Sequence, residues 1–391
     1  MTGLFSFDGP LYKDRNGVYC SVTLTNEMFS RYFTVVDRLI VAVRIFETDY
    51  TYKELNLTPL ETACMKIAEV PNLNCPSGIF MKKKRFLKDI AEFVKRSDMI
   101  FARMPSTTSD AVLEVARKMK KRYLVEVGGC AWDAFWNHGI SGKVIAPYMF
   151  LNEKRNIAMA DYAVYVTSVF LQRRYPNKNV TEICSNVYVN KNEEYLLEER
   201  IRKICNSKGK LVLGQAVNSI DVKYKGEHLV IRALSKLKKK GIQAEFQVAG
   251  PGAGRFLMKE AKRYGVESQL KLIGVLSKEE IFEWYKKIDL YIQPSKQEGL
   301  PRAMIEAMST ACPAIGSNRA GIPELLNKEC LFNPDNINEI CEAVIRIINK
   351  EQMLKMAKRN FLMAKQFNWK EIEKRRQRIF RMYRDSLRPY A

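Results

Sequence analysis

Pro294-Ser295-Lys296-Gln297-Glu298-Gly299-Leu300-Pro301-Arg302-Ala303-Met304-Ile305-Glu306-Ala307-Met308 is the stretch of this 391-residue chain whose reading decides the fold. It follows a short apolar run, 290–293, that reads as a buried strand, and from Arg302 onward it has helical spacing. In an open parallel sheet ligands bind at the carboxyl ends of the strands. A helix starting there offers phosphate its unpaired N–H groups and a partial positive charge. Gly299 lets the backbone approach a ligand, and Pro301 suits a first helical turn. Glu298 falls in the loop and Glu306 about a turn and a half into the helix, so the two carboxylates can face one ligand at different points. Two acceptors so separated suit a polyhydroxylated ligand, one for a sugar and one for a ribose. Taken alone, the pair reads equally well as an N-capping or surface pair.

Working outward, short β-branched runs alternate with segments of helical period, the pattern of parallel sheets built from β-α units. Candidate strands in the second half are 211–217, 244–249, 271–275, 290–293 and 313–316. In the first half they are 39–45, 99–103, 123–127 and 162–167, with helices over 86–95 and 111–121. A polar stretch at 190–194, a charged helix to Cys205 and a turn-prone 206–210 separate the halves. Two Rossmann-like domains in series are expected, residues 1–190 and 191–368, with a cleft between them. Residues 369–391 are helical in period, with Ile372, Ile379, Phe380, Met382 and Tyr383 among many arginines, and should cross back to cover the first domain.

Composition narrows the function. Roughly 100–200 residues per domain again gives two domains, and 47% hydrophobic with 28% charged residues fits a folded enzyme. The apolar stretches fall far short of the ~20 residues that span a bilayer, and the first residues lack an export signal, so a cytoplasmic location is expected. Nine scattered cysteines without a CxxC pair argue against a disulfide framework or a zinc knuckle and read as core. The net charge of +22 implies an anionic partner: nucleic acid, anionic lipid or phosphorylated small molecules. Basic runs at 82–85 and 118–122 read first as solvated helix faces.

The Glu298 and Glu306 stretch resembles the E-x7-E signature of family-four retaining glycosyltransferases of the GT-B fold. Other features of that family's C-terminal domain follow in order: a first strand ending in Gly214, then Lys225-Gly226, Val248-Ala249-Gly250-Pro251-Gly252, Gly274-Val275, Pro294-Ser295 and Gly321-Ile322-Pro323-Glu324. The resemblance implies that Glu298 binds the donor sugar's hydroxyls and Glu306 the ribose, and that the Gly299 and Leu300 amides help bind sugar and phosphate. It implies that Lys225 neutralises the donor diphosphate, the leaving group whose charge grows in the transition state. Gly250, Gly252, Gly274 and Val275 would lie at the nucleotide. Two departures stand out. The family's arginine after the first-strand glycine is Gln215 here, so either another cation such as Lys223 or Arg15 substitutes or leaving-group stabilisation is weaker. Where many members carry a histidine at an N-terminal strand end, this chain has Glu126-Val127-Gly128-Gly129. Of its two histidines, His138 is a candidate acceptor residue in a loop and His228 reads as a helix-surface residue.

Phe7-Asp8-Gly9-Pro10 and Arg15-Asn16-Gly17-Val18-Tyr19 resemble the glycine-containing loop after the family's first strand, which makes Gly17 a donor-side and Asp8 an acceptor-side candidate. Asp-Gly-Pro is, however, first of all a turn. No Asp-x-Asp pair and no His/Cys metal spacing appears, so neither a metal nor a cofactor is expected beyond the substrate, a UDP- or GDP-sugar. The acceptor implied is a saccharide or lipid-linked saccharide of cell-surface polysaccharide assembly, with docking to an anionic membrane surface through the basic segment 80–94. A nucleotide-sugar 2-epimerase of the same fold uses a different acidic and histidine set. A nucleic-acid-binding protein would use the charge, but no recognition motif supports specific binding to nucleic acid.

Overall fold

The computed structural model describes residues 1–55, 57–73, 83–137, 139–189, 193–207 and 209–387. The chain forms two compact units. One comprises Met1–Trp136, Ile140–Cys184 and Ile372–Ala391, and the other Asn137–Gly139 and Ser185–Glu371.

The first unit is built on β1 (Thr2–Lys13), β2 (Tyr19–Ser21), β3 (Arg38–Glu47), β4 (Thr58–Pro59), β5 (Met65–Glu69), β6 (Met99–Met104), β7 (Leu124–Val127), β8 (Tyr162–Tyr165) and β9 (Val180–Ile183). Parallel pairing runs in the order β5, β3, β1, β6, β7, β8, β9, while β2 and β4 extend the far end of β1 antiparallel. The central strands are buried on both faces, which explains their continuous apolar runs. Edge strands β5 and β9 carry Lys66, Glu69 and Glu182, blunting both the edge and its sequence signal. The turn expected at Phe7-Asp8-Gly9-Pro10 is instead part of β1, whose pairing with β3 slips register between Ser6 and Pro10. A bulge absorbs turn-forming residues inside a strand.

The connections from β5 to β6, β6 to β7 and β7 to β8 advance in one direction along the sheet. Right-handed crossovers therefore place helices Lys83–Arg96, Thr107–Lys118 and Gly139–Ala158 in one layer. Thr107–Lys118 is the middle helix, touching the first and joined to the third by Arg117 and Asn156. The reverse step from β1 to β3 puts Tyr32 on the opposite face, where the C-terminal helix Trp369–Asp385 also packs. Phe380 lies 5.1 Å from Phe101 and 5.7 Å from Tyr32, and the Tyr383 hydroxyl donates to the Arg122 carbonyl at 2.8 Å. Met382, expected in the apolar stripe, faces outward.

The second unit contains β10 (Leu211–Ala216), β11 (Ala244–Ala249), β12 (Leu270–Gly274), β13 (Leu290–Gln293), β14 (Ala314–Ser317) and β15 (Leu331–Phe332), all parallel, in the order β12, β11, β10, β13, β14, β15. Helix Glu194–Asn206, read above as part of the separator, packs within this unit, where buried Arg200 donates to the carbonyls of Tyr285 and Ile288, each at 2.7 Å. The fold is α/β with two Rossmann-like parallel sheets.

Candidate active site

In the second unit the chain runs from β10 outward to β12, then returns to start β13 beside β10 and proceeds the other way. Two connections thus leave adjacent strands in opposite directions and open a crevice at their carboxyl ends, where parallel sheets bind ligands. Lys225 follows β10 and Glu298 follows β13, and across this switch point the Lys225 ammonium donates to Glu298 Oε1 at 2.8 Å. Their side chains are 14% and 13% exposed, enough to reach a ligand and little enough for the charges to act strongly.

The surrounding residues hold this pair in place. Gln293 Nε2 donates to the same Glu298 oxygen at 3.0 Å and to Ser295 Oγ at 2.7 Å, and Tyr291 donates to Gln293 Oε1 at 2.9 Å. Lys296 N donates to the Tyr224 carbonyl at 2.9 Å, tying one loop to the other. Gly226 sits where they touch: its φ is +86°, and a Cβ would meet the Pro294 carbonyl oxygen at 2.5 Å, so only glycine fits. Gln215 is buried and donates to the Lys225 carbonyl at 3.0 Å. The Gln215 amide thus holds the Lys225 backbone.

Gly299 and Leu300 lead into helix Arg302–Ser309, with Pro301 as the residue just before the first turn rather than within it. Glu306 accepts from the Tyr285 hydroxyl at 3.1 Å. Burial raises its carboxyl above the ordinary value, against the opposing pull of Arg302 and Tyr285. Gly250 and Gly252 follow β11, Gly274 ends β12, and Val275 beyond it is exposed, so these positions share the carboxyl edge with Lys225 and Glu298. Gly250 has φ +149°, and a Cβ there would meet the Val217 carbonyl oxygen at 2.3 Å, a close backbone approach that needs glycine.

Sequence reasoning missed Gln293, Tyr291 and Tyr285. For Gln293 and Tyr291 the signal was polar atoms in an otherwise apolar buried strand, which must find partners, whereas Tyr285 lies in the charged helix Lys278–Lys287 and carried no such signal. Glu227, next to Gly226, was also passed over. It is buried, its Oε1 has no hydrogen-bond partner, and burial pushes its carboxyl up to about 8. His228 is not the surface residue expected: its ring is half-buried 5.6 Å from that of Phe256, and burial together with Arg232 lowers it to about 4.

The remaining candidates make local contacts of their own. The Asp8 carboxylate accepts from the Thr107 and Thr108 amides at 2.7 and 2.9 Å, capping helix Thr107–Lys118. Gly17, at φ +78°, turns the β1–β2 connection, whose Asp14 carboxylate accepts from the Asn16 and Val18 amides. Arg15 pairs with Glu54 at 3.6 Å, and Lys223 lies 4.8 Å from the Phe256 ring centroid. His138 lies outside the described residues. Glu126 is buried and paired with Arg103 at 3.2 Å and Tyr32 at 2.9 Å. Among the described residues, no group of three His, Cys, Asp or Glu side chains could hold a metal, and no helix is long and apolar enough to cross a membrane.

Residues 199–361 match the family described as glycosyl transferases group 1. The chain is similar to Protein CapJ of Staphylococcus aureus, 30% identical over 352 residues, 89% of this chain and 87% of CapJ. It is 34% identical over 109 residues to the amylovoran biosynthesis glycosyltransferase AmsK of Erwinia amylovora, 26% of this chain and 27% of AmsK. Among solved structures, sucrose-phosphate synthase of Thermosynechococcus elongatus superposes with a TM-score of 0.70 at 13% identity, covering 99% of this chain and all of that one. Anabaena HepE in complex with UDP-glucose gives 0.62 at 15%, covering 96% and 98%. At these identities the two structures speak to the fold.

Proposed function

Since this chain belongs to the glycosyl transferase group 1 family, we propose that it is a retaining transferase that moves a hexose-type sugar from a UDP- or GDP-sugar to a saccharide or lipid-linked saccharide in capsule, O-antigen or exopolysaccharide assembly. The observation that carries this reading is the Lys225–Glu298 pair, a cation and a hydrogen-bond acceptor 2.8 Å apart at the switch point of a parallel sheet. A cation and a carboxylate side by side suit a ligand with an anionic leaving group next to a hydroxylated ring. Lys225 stabilises the departing diphosphate, Glu298 orients the sugar hydroxyls with the Gly299 and Leu300 amides, and Glu306 takes the ribose. Gly250, Gly252, Gly274 and Val275 line the nucleotide. The acceptor oxygen attacks the anomeric carbon on the face from which the phosphate leaves. The carbon–phosphate oxygen bond breaks as the new glycosidic bond forms, and a departing phosphate oxygen takes the acceptor's proton. Lys225 supplies the positive charge that a metal ion provides elsewhere, so turnover proceeds without one.

The acceptor belongs to the N-terminal domain, residues 1–190, and the donor to residues 191–368. AmsK, named for amylovoran biosynthesis, supports the polysaccharide setting. Lys84, Arg85 and Lys88 are exposed on helix Lys83–Arg96, whose Phe86, Ile90 and Val94 are buried, and they dock the enzyme on an anionic membrane surface; residues 80–82 lie outside the described residues.

The test is thermal melting with a panel of nucleotide sugars, followed by transfer in excess EDTA. A cognate donor should raise the midpoint by an amount that grows with concentration and then turn over with EDTA present. The reading fails if no nucleotide sugar shifts the midpoint. Activity that EDTA abolishes and a divalent metal restores would overturn its metal-free part.

A further inference from the structure

Helix Gly139–Ala158 carries apolar residues on both faces. Inward, Ala146, Met149 and Ile157 are buried. Outward, Ile140, Val144, Tyr148 and Leu151 are 84, 77, 61 and 63% exposed, and Trp136 just before the helix is 40% exposed. Spaced three or four apart, the four helical residues form one row. An apolar stripe on a helix needs a surface to cover it, and only the inward face of this one meets a core. Isolated exposed apolar side chains are ordinary, but a row of four on one helix marks a contact surface.

The charges on this helix favour one occupant. Its basic side chains Lys143, Lys154 and Arg155 are exposed, and its single acid, Glu153, is buried. A second copy of the chain would bring like charges together, whereas an anionic lipid surface would neutralise them while its acyl region covers the row. Trp136 and Tyr148 are the amphipathic aromatics that settle at the headgroup level of a membrane. This helix is also in the same layer as Lys83–Arg96, so the apolar row and the basic face lie on one side of the sheet.

We propose that the outer row of helix Gly139–Ala158 inserts into the interface of an anionic phospholipid bilayer. This adds a hydrophobic anchor to the membrane docking suggested above for Lys84, Arg85 and Lys88, and it rests on that docking only for the choice of membrane. The two contributions respond differently to salt. Attraction by the basic face is screened as the Debye length falls to about 3 Å at 1 M salt, whereas burial of the apolar row is not.

The full-length protein is co-sedimented with phosphatidylglycerol–phosphatidylcholine vesicles at low salt and at about 1 M salt. Wild type should retain a salt-resistant bound fraction. The exposed-site variant I140S/V144S/L151Q should lose that fraction by about tenfold or more, with an unchanged melting midpoint showing that it folds. Trp136 fluorescence, read as the difference between wild type and W136F, should shift to the blue on vesicles in wild type but not in the triple variant. The K84E/K88E variant should lose the salt-sensitive fraction and keep the salt-resistant one. If it loses neither, the basic-face docking fails while the apolar anchor stands. The inference is overturned if wild type has no salt-resistant binding, or if the triple variant keeps it. It is also overturned if size-exclusion chromatography shows a dimer that the triple substitution dissociates, which would assign the row to a second copy.

Discussion

Glu298 shares one carboxylate oxygen between the Lys225 ammonium at 2.8 Å and the Gln293 amide at 3.0 Å, so Glu298→Gln removes a charge while keeping the shape. A hydrogen bond to a charged group contributes about 1.5–3 kcal/mol, and about 1.4 kcal/mol is a factor of ten in rate. Turnover at saturating donor should therefore fall roughly 10²-fold with the fold intact. Wild-type rates would remove Glu298 from the reacting centre. Lys225→Ala should weaken UDP and GDP binding together, because the neighbouring Gln215 amide is buried against the Lys225 carbonyl and supplies no second charge. Unchanged affinity for both nucleotides would deny Lys225 the diphosphate. Glu227 makes a pH prediction. Its carboxyl is held at about 8 by burial, against an ordinary 4.5, so the folded chain keeps a proton that the unfolded chain releases above pH 4.5. Its contribution to stability is full below that pH, declines as pH rises to about 8, and is level beyond. Glu227→Gln, neutral throughout, should flatten this part of the profile and melt higher than wild type at about pH 8. Parallel wild-type and variant melting curves across the window would mean that the carboxylate is already ionised in the fold.

The first-unit candidate Asp8 acts through an element. Its carboxylate accepts from the first-turn amides of helix Thr107–Lys118, and its carbonyl accepts from Arg44 Nε at 2.9 Å, so one residue in the β1 bulge fixes a helix and a neighbouring strand. Loss of such a cap costs about 0.5–2 kcal/mol, and Asp8→Ala should lower the melting midpoint accordingly while leaving acceptor KM unchanged. A raised acceptor KM at constant stability would return Asp8 to the acceptor site. The element that bears Glu306 shows the opposite economy of means. Helix Arg302–Ser309 has no side-chain cap at its start, and its first-turn amides follow Gly299 and Leu300 at the ligand edge of the sheet.

At the scale of the molecule, the C-terminal helix changes units along its length. Its first turn belongs with the second unit, and from Ile372 onward it completes the first. Phe380 is fully buried between Tyr32 and Phe101, and the Tyr383 hydroxyl accepts from the Ile100 amide at 3.0 Å. Truncating a large core aromatic costs about 3–5 kcal/mol, so Phe380→Ala should destabilise the first unit, read as faster hydrogen exchange in β6 and an earlier unfolding transition. A transition that stays in place would mean that the first unit is stable without this contact.

The amino-acid sequence determined what depends on neighbours along the chain. Buried parallel strands such as 290–293 are short apolar runs, helices carry a 3.6-residue period, and glycines stand where the backbone turns with positive φ, so the α/β class was legible directly; Glu298 and Glu306 stood out as a loop and helix pair, whereas Lys225 became a candidate only through the family resemblance. Edge strands β5 and β9 were not, because charged residues weaken their pattern, and β1 was hidden by turn-forming residues in its bulge. Only the tertiary structure set the order of the strands, and hence the switch point at which Lys225 and Glu298 meet. Only it gave the Gln293 amide to Glu298, the Asp8 carboxylate to a helix start and the Glu227 carboxyl to the interior. The physical reason is that periodicity is set by residues a few positions apart, whereas hydrogen-bond partners and burial are set by which distant segments the packed sheet brings together.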